Sequence, residues 1–269
     1  MKNIDYLMKM AGDMVGVSNK ELYRLEKKYI NYLGGDISPK KISLLESIVK
    51  GKPEVLKKYS KNQIASFHEL AFWRWVAYEG YLSYHPIAFS WFQKLRMFEL
   101  FLTTGWEAQD FAEKKIIEVG NGPLGMIECI PGHKKVGYDP LNDDYSKLFS
   151  KVRSKEIIYK SDMSNLKKEK NDYDLLICIN TLDHTDEPEE LFSDLMRALN
   201  KGGRFIIQVN TVKEGWPRNS EHKAMHPSPL TEKEMLSLIS QYSQKYDHFT
   251  SDKPTLEGEF FFMAWGCKK

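Results

Sequence analysis

The segment Ile116–Gly125, which reads IIEVGNGPLG, constrains the fold of this chain more than any other. Its short apolar, β-branched start predicts a buried strand, and this strand ends directly on the glycine-rich turn Gly120–Gly125. Glycines let a backbone bend tightly and approach a ligand, because no Cβ stands in the way. The GxGxxG spacing therefore predicts a ligand-binding turn that leads into a helix, with Pro123 in the first helical turn.

The chain divides at about residue 112 into two regions of different pattern. Before this point the sequence predicts only helices, at about 19–33, 38–50, 62–80 and 86–102. After it, short β-branched runs alternate with helical stretches, which predicts βαβ units around a parallel sheet. We therefore expect a helical region, 1–112, that acts as a lid or an interaction region, followed by a ligand-binding domain, 113–269.

Seven strands are predicted in the second region. They are Lys115–Val119, Lys135–Tyr138, Glu156–Tyr159, Tyr173–Ile179, Arg204–Val209, Asp247–Thr250 and Glu259–Gly266. Helices are predicted between them, notably at Glu189–Leu199 and Glu232–Ser240, and Gly202-Gly203 predicts a turn after the first of these. Only a short loop separates the last two strands, so they can pair as an antiparallel hairpin. The expected fold is a Rossmann-like α/β sheet, seven-stranded and mostly parallel, with an antiparallel terminal hairpin and an N-terminal helical extension.

Two carboxylates around the glycine turn indicate which ligand it holds. Asp139 ends the second predicted strand, where a carboxylate can accept both hydroxyls of a ribose. Capping of the next helix is the alternative role for Asp139. Glu118 directly precedes the first glycine, and its charge would repel a pyrophosphate but suits an amino group. S-adenosylmethionine carries an α-ammonium and a sulfonium, so Glu118 favours it over NAD or FAD, which the glycine turn alone fits equally well.

With these residues identified, the segment resembles motif I of the class I S-adenosylmethionine-dependent methyltransferases. The similarity continues through VGYDP, KSDMSNL, YDLLICINTLDH, LNKGGRFIIQVN and FFFMAWG, and it covers most of residues 114–266. It implies that residues 113–269 form a methyltransferase domain with S-adenosylmethionine as its cofactor. The motifs are specific for the methyl donor and carry little information about the acceptor.

The resemblance also implies which residues hold the donor. The cofactor-binding residues would be Glu118, Gly120, Asn121, Gly122, Pro123, Asp139, Pro140, Asp162, Met163 and Asn180. Glu118 and the first two glycines would contact the methionine part, and Asp139 the ribose. Asp162 and Met163 would hold the adenine, and Asn180 would lie near the sulfonium. A capping role is the alternative for Asp162.

The acceptor side depends on weaker signals. Methyl transfer is an in-line displacement, so orientation and desolvation of the acceptor matter most, and a base helps if the acceptor is a hydroxyl or an ammonium. His184, just after the fourth strand, is the best-placed candidate base, with His226 as a second candidate. A capping or packing role for His184 is equally open. The acidic residues around it favour the N-terminus of the next helix, so no metal site is expected.

Two segments are expected to border the acceptor. The aromatic segment Phe67–Pro86 is either a buried helix or a roof over the acceptor that uses Trp75 and Tyr78. The long connection Thr211–Pro229 is typical of a functional loop. It contributes three further candidate substrate contacts, namely Trp216, Arg218 and His222.

The sequence therefore predicts a methyltransferase that acts on the oxygen or nitrogen of a small molecule, such as a sugar or another biosynthetic intermediate. Three alternatives stay open: an NAD(P)-dependent oxidoreductase, a nucleic-acid or protein methyltransferase, and a binding protein without turnover. A net charge of +2 disfavours a nucleic-acid partner. We expect a cytoplasmic protein, because the three cysteines are widely spaced and neither a signal peptide nor a membrane span is evident.

Overall fold

The computed structural model of the chain describes residues 34–79, 86–213, 226–255 and 258–269. The helix predicted at 19–33 lies outside these residues. Helices lie at Pro39–Val49 (α1), Pro53–Leu56 (α2), Lys61–Glu79 (α3), Pro86–Thr104 (α4), Asn142–Leu148 (α5), Pro188–Ala198 (α6) and Glu232–Tyr242 (α7). Strands lie at Lys115–Val119 (β1), Lys134–Tyr138 (β2), Ile158–Lys160 (β3), Tyr173–Ile179 (β4), Leu199–Val212 (β5), Leu230–Thr231 (β6), Lys245–Thr250 (β7) and Phe260–Cys267 (β8).

The strands form one sheet in the order β3-β2-β1-β4-β5-β8-β7. Neighbouring strands from β3 to β5 pair in parallel, whereas β8 is antiparallel to both β5 and β7. This arrangement confirms the predicted α/β fold, including the antiparallel terminal hairpin. The two-residue strand β6, which pairs in parallel with β5, was not predicted.

Apolar side chains cover both faces of the sheet. Ile117 and its neighbours pack with α6 and α7, for example against Phe192 and Met235. Ile116, one residue earlier, belongs to the opposite face and packs in a cluster with Leu100 and Phe101 of α4. Because side chains alternate along a strand, one continuous apolar run supplies both faces, as expected for a parallel sheet with helices on each side.

The helices α1 and α3, which precede β1, pack against α5 in a third cluster. Leu45 of α1 and Leu70 of α3 lie in one buried cluster with Tyr145 and Leu148 of α5. The N-terminus of α1 is capped by Ser38, whose side chain accepts a hydrogen bond from the backbone of Lys41. This packing places α3 beside the helix that follows β2. The domain boundary at residue 112 stays a prediction.

The helix predicted after the glycine turn is wrong. The chain forms only a three-residue 3₁₀ turn, Met126–Glu128, before β2 begins at Lys134. Gly125 is extended, and Pro131-Gly132 follows the turn within a few residues. Proline lacks the N–H that a continuing helix needs, so these residues leave no room for a regular helix.

The turn predicted at Gly202-Gly203 lies inside a strand. β5 begins at Leu199, directly after α6, and its pairing with β4 jumps from Leu199 to Arg204. Gly202, with a φ of +74°, lies in the bulge between these two residues.

Within the described ranges, the helices are too short or too polar to cross a membrane. All three cysteines are free.

Candidate functional site

Three strands end side by side at one edge of the sheet and place the candidate residues there. Val119, the last residue of β1, pairs with Tyr138 of β2 and with Cys178 of β4. Gly120 and Asp139 directly follow β1 and β2, and therefore lie at the same edge. In open α/β sheets, ligands bind in the crevice at this carboxyl edge.

The three glycines of the GxGxxG turn occupy different environments. Gly120 has a φ of +75°, and a Cβ on it would lie 1.8 Å from the hydroxyl oxygen of Thr181. A Cβ on Gly125 would lie 2.3 Å from a carboxylate oxygen of Glu118. Gly122, with a φ of +56°, has no atom within 4 Å of its ideal Cβ position. A ligand can therefore approach the turn at Gly122, whereas the protein itself fills the space at the other two glycines.

Asp139 connects the end of β2 to the glycine turn. Its Oδ2 accepts a hydrogen bond from the backbone N–H of Gly122 at 2.9 Å, and its Oδ1 accepts one from Leu141 at 2.9 Å. Burial raises the pKa of Asp139 from 3.8 to about 7, and the nearby carboxylate of Glu69 adds to this shift. The side chain thus holds the open part of the turn in place.

Glu118 lies beneath the turn and does not face the open space. It is 2% exposed, and its two carboxylate oxygens accept hydrogen bonds from the backbone of Met126 at 3.1 Å and Ile127 at 2.8 Å. Burial raises the pKa of Glu118 from 4.5 to about 7, which outweighs the opposite effect of these bonds. In this structure Glu118 shapes the turn, and its contact with a ligand amino group stays a prediction.

The raised pKa of Glu118 predicts a pH-dependent stability. Between pH 4.5 and 7 the folded chain keeps a proton on Glu118 that the unfolded chain releases, so stability falls as the pH rises. A shift of this size corresponds to about 3 kcal/mol between pH 4 and pH 8. Urea unfolding at both pH values should show this loss in the wild type, and Glu118→Gln should show correspondingly less. An equal loss in both proteins would contradict the shift.

The neighbours of Gly122 in the turn are held from inside the protein. Asn121 is 3% exposed and exchanges side-chain hydrogen bonds with Asn142, at 3.0 Å from Asn121 Nδ2 to Asn142 Oδ1 and 3.2 Å in return. Arg153 in turn donates to Asn142 Oδ1 at 2.6 Å. Pro123 is buried, and Pro140 is exposed just after Asp139. The pair of hydrogen bonds between Asn121 and Asn142 could not be inferred from the sequence, because Asn142 belongs to no motif.

The candidate adenine and sulfonium contacts lie further along the same edge. Asp162 is exposed, and its carboxylate accepts hydrogen bonds from the backbone of Ser164 and the side chain of Asn165, both at 2.9 Å. A hydrogen bond from the Ser164 side chain, together with these two bonds, holds the pKa of Asp162 below its ordinary value. Met163 is half-buried against the core. Asn180, exposed at the end of β4, has a φ of +52°, a conformation that asparagine adopts more readily than most residues.

Two histidines that are distant in the sequence meet next to β4. The rings of His184 and His226 have centroids 4.2 Å apart, and His226 Nδ1 lies 2.5 Å from Asp183 Oδ2. Glu69 of α3 reaches the same place, with its Oε2 3.9 Å from His184 Nδ1. We call Glu69, Asp183, His184 and His226 the histidine cluster. Its base function, predicted for both histidines, stays a prediction.

Glu69 is the member of the cluster that the sequence did not indicate. The hydroxyl of Tyr145 on α5 donates a hydrogen bond to Glu69 Oε1 at 3.2 Å. Burial raises the pKa of Glu69. Its position follows from the packing of α3 against α5, and no local sequence signal marks one glutamate of a long helix for such a role.

The candidate substrate residues are less well placed by the structure. Trp75 is 36% exposed on α3 and lies two residues from Trp73, which packs against Phe149. Two residues correspond to about 200° around a helix, so the two tryptophans face different sides. Tyr78 belongs to α3, but the structure describes only its backbone and not its side chain. Trp216, Arg218 and His222 also lie outside the described residues.

The sheet order, the glycine turn after β1 and the carboxylate after β2 define an α/β protein that binds a nucleoside-containing ligand at its carboxyl edge. Residues 117–207 match the family model described as a methyltransferase domain. The chain therefore contains a methyltransferase domain, and its fold is that of the class I S-adenosylmethionine-dependent enzymes. Among curated proteins, none matches the sequence.

Two solved structures of phosphoethanolamine N-methyltransferase 2 from Haemonchus contortus are similar to this chain. One, in complex with phosphomonomethylethanolamine and S-adenosylhomocysteine, has a TM-score of 0.54 at 14% identity and aligns over 76% of this chain. The other, in complex with S-adenosyl-L-methionine, has a TM-score of 0.55 at 14% identity and aligns over 78%. The alignments span 58% and 60% of that protein's length. At this identity the likeness shows the shared fold.

Proposed function

We propose that this chain transfers the methyl group of S-adenosylmethionine to an oxygen or nitrogen of a small molecule. The observation that carries the proposal is the hydrogen bond from the backbone of Gly122 to Asp139, which joins an open turn to a carboxylate. The donor's methionine part would lie along the turn, and its ribose would meet Asp139. The match of residues 117–207 to a methyltransferase domain supports this proposal. The S-adenosyl-L-methionine and S-adenosylhomocysteine bound in the similar structures also support it.

The described residues fit this donor in three places. The space at Gly122 is free for the ligand backbone, and Asp139 uses one lone pair of each oxygen, which leaves acceptor capacity for ribose hydroxyls. Asp162, which is exposed, and Met163, which is half-buried, are the residues proposed to hold the adenine. When bound, the donor supplies an activated methyl on a sulfonium. The chain orients the acceptor against it and excludes water.

The NAD(P)-dependent alternative fits less well. A dinucleotide pyrophosphate binds at the N-terminus of the helix that follows the glycine turn, where free N–H groups and the helix dipole meet it. Here the turn leads into a three-residue 3₁₀ turn, and the N–H groups of Met126 and Ile127 already bind Glu118. The arrangement therefore offers little to a pyrophosphate.

Titration calorimetry with S-adenosylhomocysteine and with NADH tests this choice. We expect one S-adenosylhomocysteine per chain with a micromolar or lower Kd, and no measurable heat from NADH. The two ligands share an adenosine, so adenosine itself serves as the control for binding through this common part. Binding of NADH without binding of S-adenosylhomocysteine would overturn the proposal.

A further inference from the structure

The histidine cluster brings together side chains that commonly bind metal ions. Asp183, His184 and His226 each offer one ligand atom, and these atoms all lie within 4.8 Å of one another. Asp183 and His226 are 1% and 3% exposed, and His184 is half-buried. Asp183 and His226 are 43 residues apart in the sequence, so only the tertiary fold brings these side chains together.

A buried polar atom in the cluster points to a ligand. The Asp183 side chain is 2% exposed, and within the described part of the chain its Oδ1 has no hydrogen-bond partner, while its Oδ2 meets His226. Buried carboxylate oxygens are nearly always paired, because an unpaired one has lost its hydration without gaining a replacement. Among the described residues, Glu69 lies beside His184 and Asp183 lies beside His226. The carboxylates of Glu69 and Asp183 repel each other, and a bound cation would offset this repulsion.

We propose that Asp183, His184 and His226 bind one divalent transition-metal ion of the zinc type. Imidazole nitrogen and carboxylate oxygen are the ligands that such ions prefer, and three protein ligands leave a further position open. Bonds of about 2.1 Å place neighbouring ligand atoms about 3 to 4 Å apart. Asp183 Oδ2 and His226 Nδ1, which lie 2.5 Å apart, would therefore separate slightly, and ligand atoms that lie up to 4.8 Å apart would draw closer. Under this proposal both histidines would be ligands and not the proton acceptors expected from the sequence, and a metal site would take the place of the expected absence of one.

Glu69 lies next to these three residues and would orient the ligand His184. Its Oε2 is 3.9 Å from His184 Nδ1, and its Oε1 is held by the hydroxyl of Tyr145. Carboxylates hydrogen-bonded to a neighbouring residue in this way orient metal ligands in many sites. The helical region would thus contribute to the site through α3.

The position of the cluster suggests what the ion would do. Asp183 follows Asn180 by three residues, at the carboxyl end of β4 where the donor's sulfonium is expected. The open position of the ion would bind an oxygen or nitrogen of the acceptor and hold it towards the methyl group. This step rests on the proposed function, whereas metal binding itself does not.

Metal analysis of the full chain tests the proposal. The protein is treated with a chelator, freed of it, and titrated with Zn²⁺ and separately with Co²⁺. We expect one equivalent of either ion per chain, with a visible Co²⁺ spectrum typical of nitrogen and oxygen ligands. His226→Ala and Asp183→Asn should each weaken Zn²⁺ binding about a hundredfold or more. His248→Ala is the matched control, because His248 is an exposed histidine whose Nε2 lies 3.8 Å from a carboxylate oxygen of Glu232.

The outcomes separate clearly. Less than stoichiometric Zn²⁺ in the wild type, or a thiolate-to-cobalt band from the cysteines, would overturn the site even if a variant failed to fold. Equal losses in His226→Ala and His248→Ala would also overturn it. S-adenosylhomocysteine binding, measured on the same samples, tests the donor site independently. Metal binding without S-adenosylhomocysteine binding would support the metal site and contradict the proposed function.

Discussion

Replacing Gly120 with alanine is expected to destabilise the protein by about 2–5 kcal/mol, whereas the same change at Gly122 should cost about 1–2 kcal/mol. Both glycines have positive φ, which an alanine adopts at a cost of about 1–2 kcal/mol. Only at Gly120 does the added methyl meet another residue, since its Cβ would lie 1.8 Å from the Thr181 hydroxyl and 2.7 Å from the Thr181 Cβ. The extra cost is therefore steric, and it comes from the close approach of Gly120, directly after β1, to Thr181, the second residue after β4.

Urea unfolding of the two alanine variants measures this difference, with each variant as the other's control. Thr181→Ala in the Gly120→Ala background should recover part of the loss, because it removes the closest contact but leaves the Cβ. Equal destabilisation of the two single variants would show that Thr181 does not limit the space. For the donor, Gly122→Ala should weaken S-adenosylhomocysteine binding more than its small effect on stability suggests, because it fills the open side of the turn.

Replacing Asp139 with alanine is expected to weaken S-adenosylhomocysteine binding more than tenfold. The change would remove the proposed ribose acceptor, and it would also release the backbone N–H groups of Gly122 and Leu141. Buried N–H groups that lose their partner cost about 1–3 kcal/mol each. A lower melting temperature should therefore accompany the loss of affinity.

Asp139→Asn separates the two effects. Asparagine keeps a carbonyl oxygen for one backbone N–H and adds no charge, so the fold should stay closer to the wild type than in the alanine variant. Donor affinity should still fall, because an amide offers the ribose fewer acceptor lone pairs. The control is Asp143→Ala, which changes an exposed aspartate on the neighbouring helix. Wild-type affinity in both Asp139 variants would rule out the ribose role.

The sequence predicted the positions of the strands along the chain well, because the signals for them are local. The apolar run before Gly120 and the run Tyr173–Ile179 are buried on both faces, and each coincides with a strand of the structure. The helix wrongly predicted after the turn shows that local signals are not always sufficient. A GxGxxG pattern is usually followed by a helix, but the residues after Gly125 bind Glu118 and then reach a proline.

Individual site residues were harder to predict than the strands. Glu118 is adjacent to the turn in sequence, yet the structure directs its carboxylate to the backbone of Met126 and Ile127. Asp183 was one acidic residue among several before α6, whereas Glu189 and Glu190 do occupy the first turn of that helix, as expected. Burial distinguishes Asp183 from them, and burial depends on contacts with residues far along the chain.

The GxGxxG turn and the carboxylate of Asp139 thus follow from the sequence alone, because a strand end, its glycine turn and the next strand end lie within about 25 residues of chain. The different surroundings of the three glycines, and the meeting of Glu69, Asp183, His184 and His226, arise only in the folded protein. The close contact at Gly120 depends on Thr181, which follows β4, and the histidine cluster joins α3, the segment after β4 and the segment before β6. Long-range packing of this kind leaves no periodic or local pattern in the sequence.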